Sequence, residues 1–511
     1  HLAGKHSNTQ IPKLIGLARL YELTGDQKDH NAAEFFWETV VNHHTYVIGG
    51  NSNGEYLGPP DQLAHRLSSN TCETCNTYNM LKLTRHLFEW DPQAKYMDFY
   101  ERAYYNHILG SQDPDTGGVT YFMPLGTGTH REYSDAFDNF TCCHGTGMEN
   151  HTKHGDTAYF HSGNNVLWVN LFMPSELTWK ENGAELKQET DFPKTGNVSI
   201  TVEKAGRPFE LKLRHPSWAA QPFDIQVNGQ TVATSGEPSS YTSVNRSWKK
   251  GDKITFTLPM AVHEEATPDD AKRVAFLYGP IVLAADLGKA RGPEPRTPVL
   301  VTHDEPVTEW VKPVAGEADT FTIDSEARPT PLKLLPFYTL HHDRYGVYFD
   351  KFTDAEWDKQ EAQYREEEAR RKDLEARTVD FFVIGQMQPE RDHDLQSEKN
   401  DVRDVNGRSF RTPLNGGWFT FKVKVSPDKP NTLLMTYWGN DRLNPDFAVS
   451  VDGTELAKGS LPSHTPNRFF DVSYELPQDL TKGKSTVTVR IQATEGHAGP
   501  STSGARVVFA K

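Results

Sequence analysis

The cysteines form the most informative chemical pattern in the sequence. The 511-residue chain has only four, and all lie in its first 143 residues, as Cys72, Cys75, Cys142 and Cys143. Disulfides that stabilise a secreted protein would be spread over its domains, whereas a cluster in one part of the chain indicates one local site. Thiolates are soft ligands that suit zinc, and a carboxylate such as that of Glu73 can complete a tetrahedral ligand set.

The same pattern is open to three plainer interpretations. The first is a purely structural zinc site with four cysteine ligands, which a C-x-x-C spacing normally indicates. The vicinal pair Cys142-Cys143 weighs against it, because adjacent side chains seldom both reach one metal without a special loop. The second interpretation is a set of disulfides, and the third is four unrelated buried thiols. The residues alone favour a zinc site of some kind.

Hydrophobic periodicity places the cysteines in a helical part of the chain. Up to about residue 160, apolar residues recur at the spacing of amphipathic helices. The predicted helices run from near Pro12 to a stop at Gly25, and then over about 32–41, 78–88, 94–108 and 147–159. Long loops rich in Gly and Asn separate them, and such loops often carry functional residues. The site is therefore expected on loops that a helical scaffold positions.

The apolar pattern changes to alternation near residue 165. Short alternating segments with turn signals, such as Asn228-Gly229, predict an antiparallel β-sandwich. Residues 286–330 are rich in Pro, Glu, Asp and Thr and predict a linker, and the aromatic segment Phe337–Phe349 is expected to pack on an earlier domain. The charged run Asp354–Arg377 predicts a solvated helix. Alternating strands return from Val379 to the end.

These patterns predict a multidomain α + β protein with four parts. They are a helical domain over residues 1–162, a first β-sandwich over 163–286, a linker, aromatic return segment and charged helix over 287–377, and a C-terminal β-sandwich accessory domain over 378–511. The last part has the usual shape of an accessory module associated with carbohydrate.

Composition excludes several classes of partner. The net charge of −15 would repel a polyanion such as nucleic acid, so a neutral substrate fits better. No stretch approaches 18 uninterrupted apolar residues, which argues against a membrane span. The chain opens at His1 directly into a helix entry, so we expect an upstream segment to be missing. The absence of a signal peptide therefore says nothing about secretion.

An ordered set of short sequence runs gives a more specific indication. The runs are His6–Lys13, Tyr21–Asp26, Gly49-Gly50 followed by Gly54-Glu55, Glu73–Cys75, Tyr100–Ala103 with Tyr105-Asn106, and Cys142-Cys143. In this order they resemble the β-L-arabinofuranosidases of glycoside hydrolase families 127 and 146. The later runs Leu213–Trp218 and Tyr278–Pro280 resemble the β-sandwich of the same family, so the resemblance covers about residues 1–285. The C-terminal extension resembles the arrangement in the second of these families.

The resemblance implies a catalytic zinc held by Glu73, Cys75, Cys142 and Cys143, with Cys142 as nucleophile. A nearby cation stabilises the thiolate that attacks, because a thiol near its free pKa is mostly protonated at neutral pH. The resemblance also makes Glu55 the general acid/base. The use of a cysteine as nucleophile departs from the two-carboxylate scheme of most glycosidases.

Three further residues are implied to bind the sugar hydroxyls, namely His6, Glu101 and Tyr121. Each has a plainer role when the resemblance is set aside. His6 would cap or pack at a helix start, Glu101 would be an ion-pair partner, and Tyr121 would be a core aromatic. A Glu that follows Gly in a loop, as Glu55 does, is usually solvated.

Two departures from the family pattern bear on the site. Cys72 is an extra thiol directly before Glu73, and it is either a bystander or a replacement for Glu73 in an all-sulfur site. The family's helical domain is an (α/α)6 barrel, of which residues 1–162 would be only the C-terminal part. The N-terminal half of the barrel is therefore expected to be missing here and to be needed for activity.

The expected function is a retaining exo-glycoside hydrolase that releases β-L-arabinofuranosyl residues from plant glycans or glycoproteins. Its partner would be an arabinofuranose-containing oligosaccharide or polysaccharide, its cofactor Zn2+, and its location periplasmic or secreted in a bacterium. The alternative is a non-catalytic carbohydrate-binding or scaffold protein with a structural zinc site. A polysaccharide lyase would need a Tyr/His or Arg base set and an acidic sugar, which the net charge of −15 disfavours.

Overall fold

Five α-helices and a π-helical turn build the N-terminal part of the protein. The computed structural model describes residues 2–135, 137, 140–290, 295–303, 305–385, 387–405, 408–439, 445–461 and 468–510. The helices are α1 (Ser7–Thr24), α2 (Gln27–His43), α3 (Thr74–Trp90), α4 (Ala94–Ala103), a π-helical turn (Tyr104–Ile108) and α5 (Cys142–Asn150). Gly25 ends α1 in the left-handed region with φ +73°, a conformation that glycine adopts without steric cost. Asp26 then caps α2 by accepting the N–H of Lys28 at 3.0 Å.

Helix α3 is the centre of this helical domain. It contacts α1, α2, α4 and α5. Its inward face is fully buried and consists of the apolar residues expected from helical spacing, Met80, Leu81, Leu83, Leu87 and Phe88. Because α3 is held on several sides, its N-terminal turn is a rigid platform for side chains.

Helix α5 differs from its predicted range of 147–159. It begins at Cys142 and ends at Asn150. The glycines Gly145 and Gly147 hid this start, since glycine lowers helix propensity. Gly147 is nevertheless required by packing, because a Cβ there would lie 2.7 Å from the side chain of Val119.

Two sheets follow the helices and share one apolar core with them. The first sheet has the order β1 (Tyr159–Ser162), β2 (Val166–Val169), β6 (Phe209–His215), β9 (Ser240–Arg246). The second has the order β3 (Ser175–Trp179), β4 (Ala184–Thr190), β5 (Asn197–Lys204), β10 (Lys253–Thr257), β7 (Asp224–Val227), β8 (Gln230–Thr234). Within these sheets β2 and β6 run parallel and the other pairs are antiparallel. The predicted Asn228-Gly229 turn joins β7 to β8, with both residues at positive φ.

The segment predicted as a linker is part of a ten-stranded sheet in the described part of the chain. Its strands are β11 (Val262–Thr267), β12 (Asp270–Tyr278), β13 (Ile281–Lys289), β14 (Val299–Val301), β15 (Val311–Pro313), β16 (Phe321–Ile323), β17 (Ala327–Arg328), β18 (Leu332–Pro336), β19 (Asp343–Gly346) and β20 (Tyr348–Phe352). The interpretation of residues 286–330 as a linker is therefore wrong, although residues 291–294 and 304 lie outside the described residues. Strands of two or three residues are too short to show alternation, and the polar turns between them dominate the composition.

The chain divides into two compact units, residues 1–357 and 358–511. Helix α6 (Asp354–Arg377) spans the charged run as predicted. The second unit has a nine-stranded sheet of β21 (Thr378–Val383), β22 (Gln396–Val405), β23 (Arg408–Lys424), β24 (Asn431–Trp438), β25 (Asp446–Val451), β26 (Thr454–Ser460), β27 (Phe469–Leu476), β28 (Thr486–Ala493) and β29 (Thr502–Phe509), with short helices α7 (Met387–Asp392) and α8 (Gln478–Thr481). Its core is separate from those of the first unit.

The predicted fold class, a helical domain followed by antiparallel β-domains, is confirmed. Across the described residues, no helix combines the length and the apolarity that crossing a bilayer would require.

A buried ion-pair network joins α4 to the first sheet. Arg214 on β6 is fully buried and donates to Asp98 Oδ1 at 2.6 Å and to Glu101 Oε1 at 2.5 Å. The other carboxylate oxygen of Glu101 accepts the indole N–H of Trp218 at 2.8 Å. Glu101 itself has no exposed surface. The predicted role of Glu101 in sugar binding is therefore corrected, because both of its oxygens are occupied inside the protein.

Replacement of Glu101 should test this structural role. We expect Glu101→Ala to lower the free energy of unfolding by about 1–3 kcal/mol, because it removes one of the two carboxylates that pair with the buried guanidinium of Arg214. Chemical denaturation measures this change. Glu185→Ala, which removes an exposed partner of Lys204, is the control and should shift the transition little. Equal transitions for the two variants would contradict the account.

Candidate active site

Two helix N-termini bring the sulfur atoms together. Cys142 and Cys143 are the first two residues of α5, and their Sγ atoms lie 4.0 Å apart. The backbone N–H of Thr141, just before the helix, donates to His144 Nδ1 at 2.8 Å and fixes this start. The first turn of a helix is thus the special arrangement that lets a vicinal pair face one point.

The start of α3 supplies the other two donors. Glu73 directly precedes the helix and Cys75 is its second residue. The backbone of this turn is tied to the chain near residue 121, since Thr74 N–H donates to the carbonyl of Tyr121 at 2.9 Å and Glu73 forms a β-bridge with Phe122.

The four donors form one cluster. Cys143 Sγ lies 3.3 Å from Cys75 Sγ and 3.8 Å from Glu73 Oε1, and Cys142 Sγ lies 3.9 Å from the same oxygen. One ligand atom from each residue lies within 4.8 Å of all the others. Glu73 Oε2 is buried and has no hydrogen-bond partner. Of the four, Cys142 alone is exposed.

These distances fit a metal ion. With metal–sulfur bonds of about 2.3 Å, tetrahedral coordination places ligand atoms about 3.8 Å apart, and three thiolates with one carboxylate are a set that suits zinc. A bound cation would also give the orphaned Glu73 oxygen a partner. The residues present therefore fit the metal that the family resemblance implies.

Ionisation of the cluster without a cation is opposed at Glu73, Cys142 and Cys143, and Cys75 is the exception. Burial raises the pKa of the Glu73 carboxyl to about 8 and also raises the pKa of the Cys142 thiol. Cys143 donates a hydrogen bond to Cys75, which lowers the pKa of Cys75 and raises that of Cys143. Metal ligands must be deprotonated, and a bound cation would lower the pKa values that burial and hydrogen bonding raise.

Glu55 occupies a strained turn beside the cluster. Gly54 and Glu55 have φ values of +56° and +71°, the signature of a type I′ turn between two short paired segments. A left-handed conformation at a non-glycine residue costs on the order of 1 kcal/mol and is concentrated at functional sites. The carbonyl of Glu55 accepts the backbone N–H of Ser7 at 2.8 Å, which anchors the turn to the start of α1.

Tyr121 connects Glu55 to Cys142. Its hydroxyl donates to Glu55 Oε1, and the Cys142 thiol lies 3.8 Å from the same hydroxyl. Burial raises the pKa of Tyr121 well above the usual phenol value, so the O–H is kept as a donor. His6 Nε2 lies 3.4 Å from Glu55 Oε2, and both side chains are about 30% exposed, at 28% and 31%. The structure thus brings His6, Glu55, Tyr121 and Cys142 together at one surface.

Cys72 is outside this site. It is fully buried in an apolar cluster with Tyr46, Ile48, Met123 and Tyr345. All four cysteines are free thiols. The structure supports the alternative in which Cys72 is not a ligand, and Glu73 is one of the four donors.

Sequence reasoning missed a layer of hydrogen bonds behind the donors. Thr146 Oγ1 lies 3.2 Å from Cys75 Sγ, and its position one helical turn after Cys142 could have indicated it. A buried amide, Asn51, accepts from Ser7 Oγ at 2.7 Å and from Asn76 at 3.3 Å, and so joins the starts of α1 and α3. No sequence signal indicates this contact, because the three polar residues are far apart in the chain.

Family comparisons agree with the geometry. The model described as "Beta-L-arabinofuranosidase, GH127 catalytic domain" matches residues 1–156, and that of the GH127 middle domain matches residues 166–260. Over these residues the chain carries the GH127 catalytic and middle domains. Two domain families of unknown function match residues 290–351 and 373–508. A search of curated proteins finds no match.

Solved structures share the fold of the larger part of this chain. A glycoside hydrolase is 22% identical with a TM-score of 0.55, covering 68% of this chain and 66% of its own. A GH127 β-arabinofuranosidase is 25% identical with a TM-score of 0.58, covering 69% and 61%. A GH127 β-L-arabinofuranosidase from Geobacillus stearothermophilus T6 is 22% identical with a TM-score of 0.56, also covering 69% and 61%. The chain therefore spans less than two thirds of the length of these relatives.

The two cysteines on either side of Glu73 should behave differently toward metal. We expect Cys75→Ser to lower the bound metal well below one ion per chain, because a donor of the cluster is weakened. Cys72→Ser changes a buried thiol outside the cluster and should retain the metal content of the unmodified chain. Elemental analysis after gel filtration measures both, and a larger metal loss in Cys72→Ser would refute the ligand assignment.

Proposed function

We propose that this chain carries the zinc-thiolate centre of a retaining exo-glycoside hydrolase that releases β-L-arabinofuranosyl residues from plant glycans or glycoproteins. One observation carries the proposal: the exposed sulfur of Cys142 stands between three buried donors and the carboxylate of Glu55, which Tyr121 links to it. Support also comes from the match of residues 1–156 and 166–260 to the GH127 catalytic and middle domains. The location we propose is the periplasm or the exterior of a bacterium.

The zinc ion would be held by Glu73, Cys75, Cys142 and Cys143. When bound, it supplies positive charge that favours the thiolate form of its sulfur ligands. Structural zinc sites are closed by four protein ligands, and this set would also supply four. It differs in that one ligand, Cys142, is exposed. The exposure of Cys142 therefore favours a catalytic role over the alternative of a structural site in a non-catalytic carbohydrate-binding or scaffold protein.

In the first chemical step Cys142 acts as the nucleophile and Glu55 as the acid. Cys142 Sγ forms a bond to the anomeric carbon while the bond from that carbon to the glycosidic oxygen breaks. Glu55 donates its proton to the departing oxygen and becomes a carboxylate. The product is a glycosyl thioether on Cys142, with the configuration at the anomeric carbon inverted once.

The second step returns the site to its starting state. The Glu55 carboxylate removes a proton from water, whose oxygen bonds to the anomeric carbon as the carbon–sulfur bond breaks. The sulfur leaves as a thiolate, and the second inversion gives net retention. His6 and Tyr121 contact the two oxygens of Glu55, so we assign them to orienting that carboxylate and to binding sugar hydroxyls beside it.

Removal of the nucleophile should abolish turnover. In the protein that carries this chain, we expect Cys142→Ala to reduce release of L-arabinose from a chromogenic β-L-arabinofuranoside by on the order of 1,000-fold or more. Circular dichroism should show an unchanged fold. Cys72→Ala serves as the matched control and should retain activity. Undiminished turnover in Cys142→Ala would remove the nucleophile assignment.

Replacement of the acid/base should depend on the leaving group. We expect Glu55→Gln to slow hydrolysis of an alkyl arabinofuranoside by about 100- to 10,000-fold, since the alkoxide needs a proton to depart. A dinitrophenyl arabinofuranoside leaves without protonation, so the rate of its first step should fall much less. Pre-steady-state release of the phenolate measures that step. An equal loss for both substrates would contradict the assignment of Glu55 as the acid.

A further inference from the structure

A buried histidine lies behind the metal donors. The π-helical turn after α4 carries His107, which has no exposed surface. Its Nδ1 lies 2.8 Å from Thr77 Oγ1 and its Nε2 lies 3.3 Å from Thr74 Oγ1. Both threonines belong to the first turn of α3 and are fully buried. π-Helical turns are rare and are frequently found at functional sites.

The hydrogen bonds around His107 specify one tautomer. Thr74 Oγ1 lies 3.1 Å from the carbonyl of Thr120, which can only accept, so we assign the Thr74 proton to that bond. In this assignment Nε2 carries the ring proton, and Nδ1 accepts the hydroxyl proton of Thr77. Burial lowers the pKa of His107 to about 3, which keeps the ring neutral. The result is a chain of hydrogen bonds, called the relay below. In it Thr77 donates to His107, His107 donates to Thr74, and Thr74 donates to the carbonyl of Thr120.

The ring of His107 has little freedom to move. A Cβ added at Gly50 would lie 2.7 Å from His107 Nδ1 and 2.7 Å from the Cβ of Cys72. The loop that contains Gly50 thus packs directly against the edge of the ring. Because of this close approach, only glycine fits at position 50 without a steric clash. The same contact holds the ring of His107 in place relative to α3.

The relay connects two parts of the proposed catalytic centre. Thr74 stands between the donors Glu73 and Cys75, and Thr120 directly precedes Tyr121. We propose that His107 is a positioning residue that locks the first turn of α3 onto the segment carrying Tyr121, so that Glu73 and Cys75 face the α5 cysteines. This inference rests on the proposed zinc-thiolate function.

Binding of Co2+ tests the inference without any turnover assay. Thiolate-bound Co2+ has a near-ultraviolet charge-transfer absorption that reports both its affinity and the geometry of its sulfur ligands. We expect His107→Leu and Thr77→Val to weaken Co2+ binding by about 10- to 100-fold, as loss of partners that orient metal ligands does elsewhere. The charge-transfer spectrum should change as well.

Thr84→Val is the matched control on the same helix. Thr84 is also fully buried on α3, accepts the indole N–H of Trp37 at 2.8 Å and donates to the carbonyl of Met80 at 2.7 Å. Its loss should lower the melting temperature as much as Thr77→Val does. It should leave the Co2+ affinity and spectrum unchanged, because Thr84 is not part of the relay.

The outcomes separate the inference from the proposed function. If the unmodified chain binds no Co2+ or Zn2+, the zinc-thiolate function fails and the inference with it. If it binds the metal, but Thr77→Val and a folded His107→Leu keep its affinity and spectrum, the inference alone is overturned. Should His107→Leu not fold, Thr77→Val decides the matter. A weakened metal site in Thr77→Val with an unaffected one in Thr84→Val is the result we expect.

Discussion

The main physical constraint on the site is that one carboxyl group and three thiols are packed together with little access to water. Glu73, Cys75 and Cys143 are buried, and Cys142 lies against them with every donor atom within 4.8 Å of the rest. Burying an isolated negative charge costs several kcal/mol after relaxation, and here the charges would also repel one another. Two helix N-termini point at the cluster, but each contributes only about 0.3–1 kcal/mol. A bound divalent cation can stabilise the fully deprotonated set, and the helix dipoles cannot do so alone.

This constraint explains the scaffold around the site. The starts of α3 and α5 must meet, although Cys75 and Cys142 are far apart in the chain. Backbone contacts near Tyr121, the amide of Asn51 and the His107 relay all fasten the start of α3. Further away, the buried pairing of Arg214 with α4 secures the helical domain to its first sheet. The exposed sulfur of Cys142 then lies close to Tyr121, which donates to Glu55, and the proposed function uses this arrangement.

Much of the site could be predicted from the chain because its chemistry is local in sequence. Cysteine spacing favoured a zinc site of some kind, and the family resemblance implied its four donors. The resemblance also implied roles for Glu55, His6 and Tyr121, which the structure brings together. Glu101 could not be judged in this way, since its partner Arg214 lies on a strand more than a hundred residues later. His107 escaped notice for a similar reason, because a buried histidine in a helical pattern looks like a core residue until the hydroxyls around it are known.

The fold was predictable where elements are long and regular. Helix α3 and the strands of the first sheets show clear periods, whereas the strands between residues 299 and 336 are short and interrupted by proline and charged turns. Such strands form because neighbouring strands complete their hydrogen bonds, and this information lies outside the segment itself. The start of α5 was hidden by Gly145 and Gly147, which lower helix propensity, although packing against Val119 requires a glycine at position 147.

X-ray absorption at the zinc edge tests the central claim most directly. The account predicts three sulfur ligands at about 2.3 Å and one oxygen ligand at about 2.0–2.2 Å, from Cys75, Cys142, Cys143 and Glu73. A shell of four sulfur atoms would contradict it by placing Cys72 on the metal, and a shell without sulfur would remove the thiolate centre altogether.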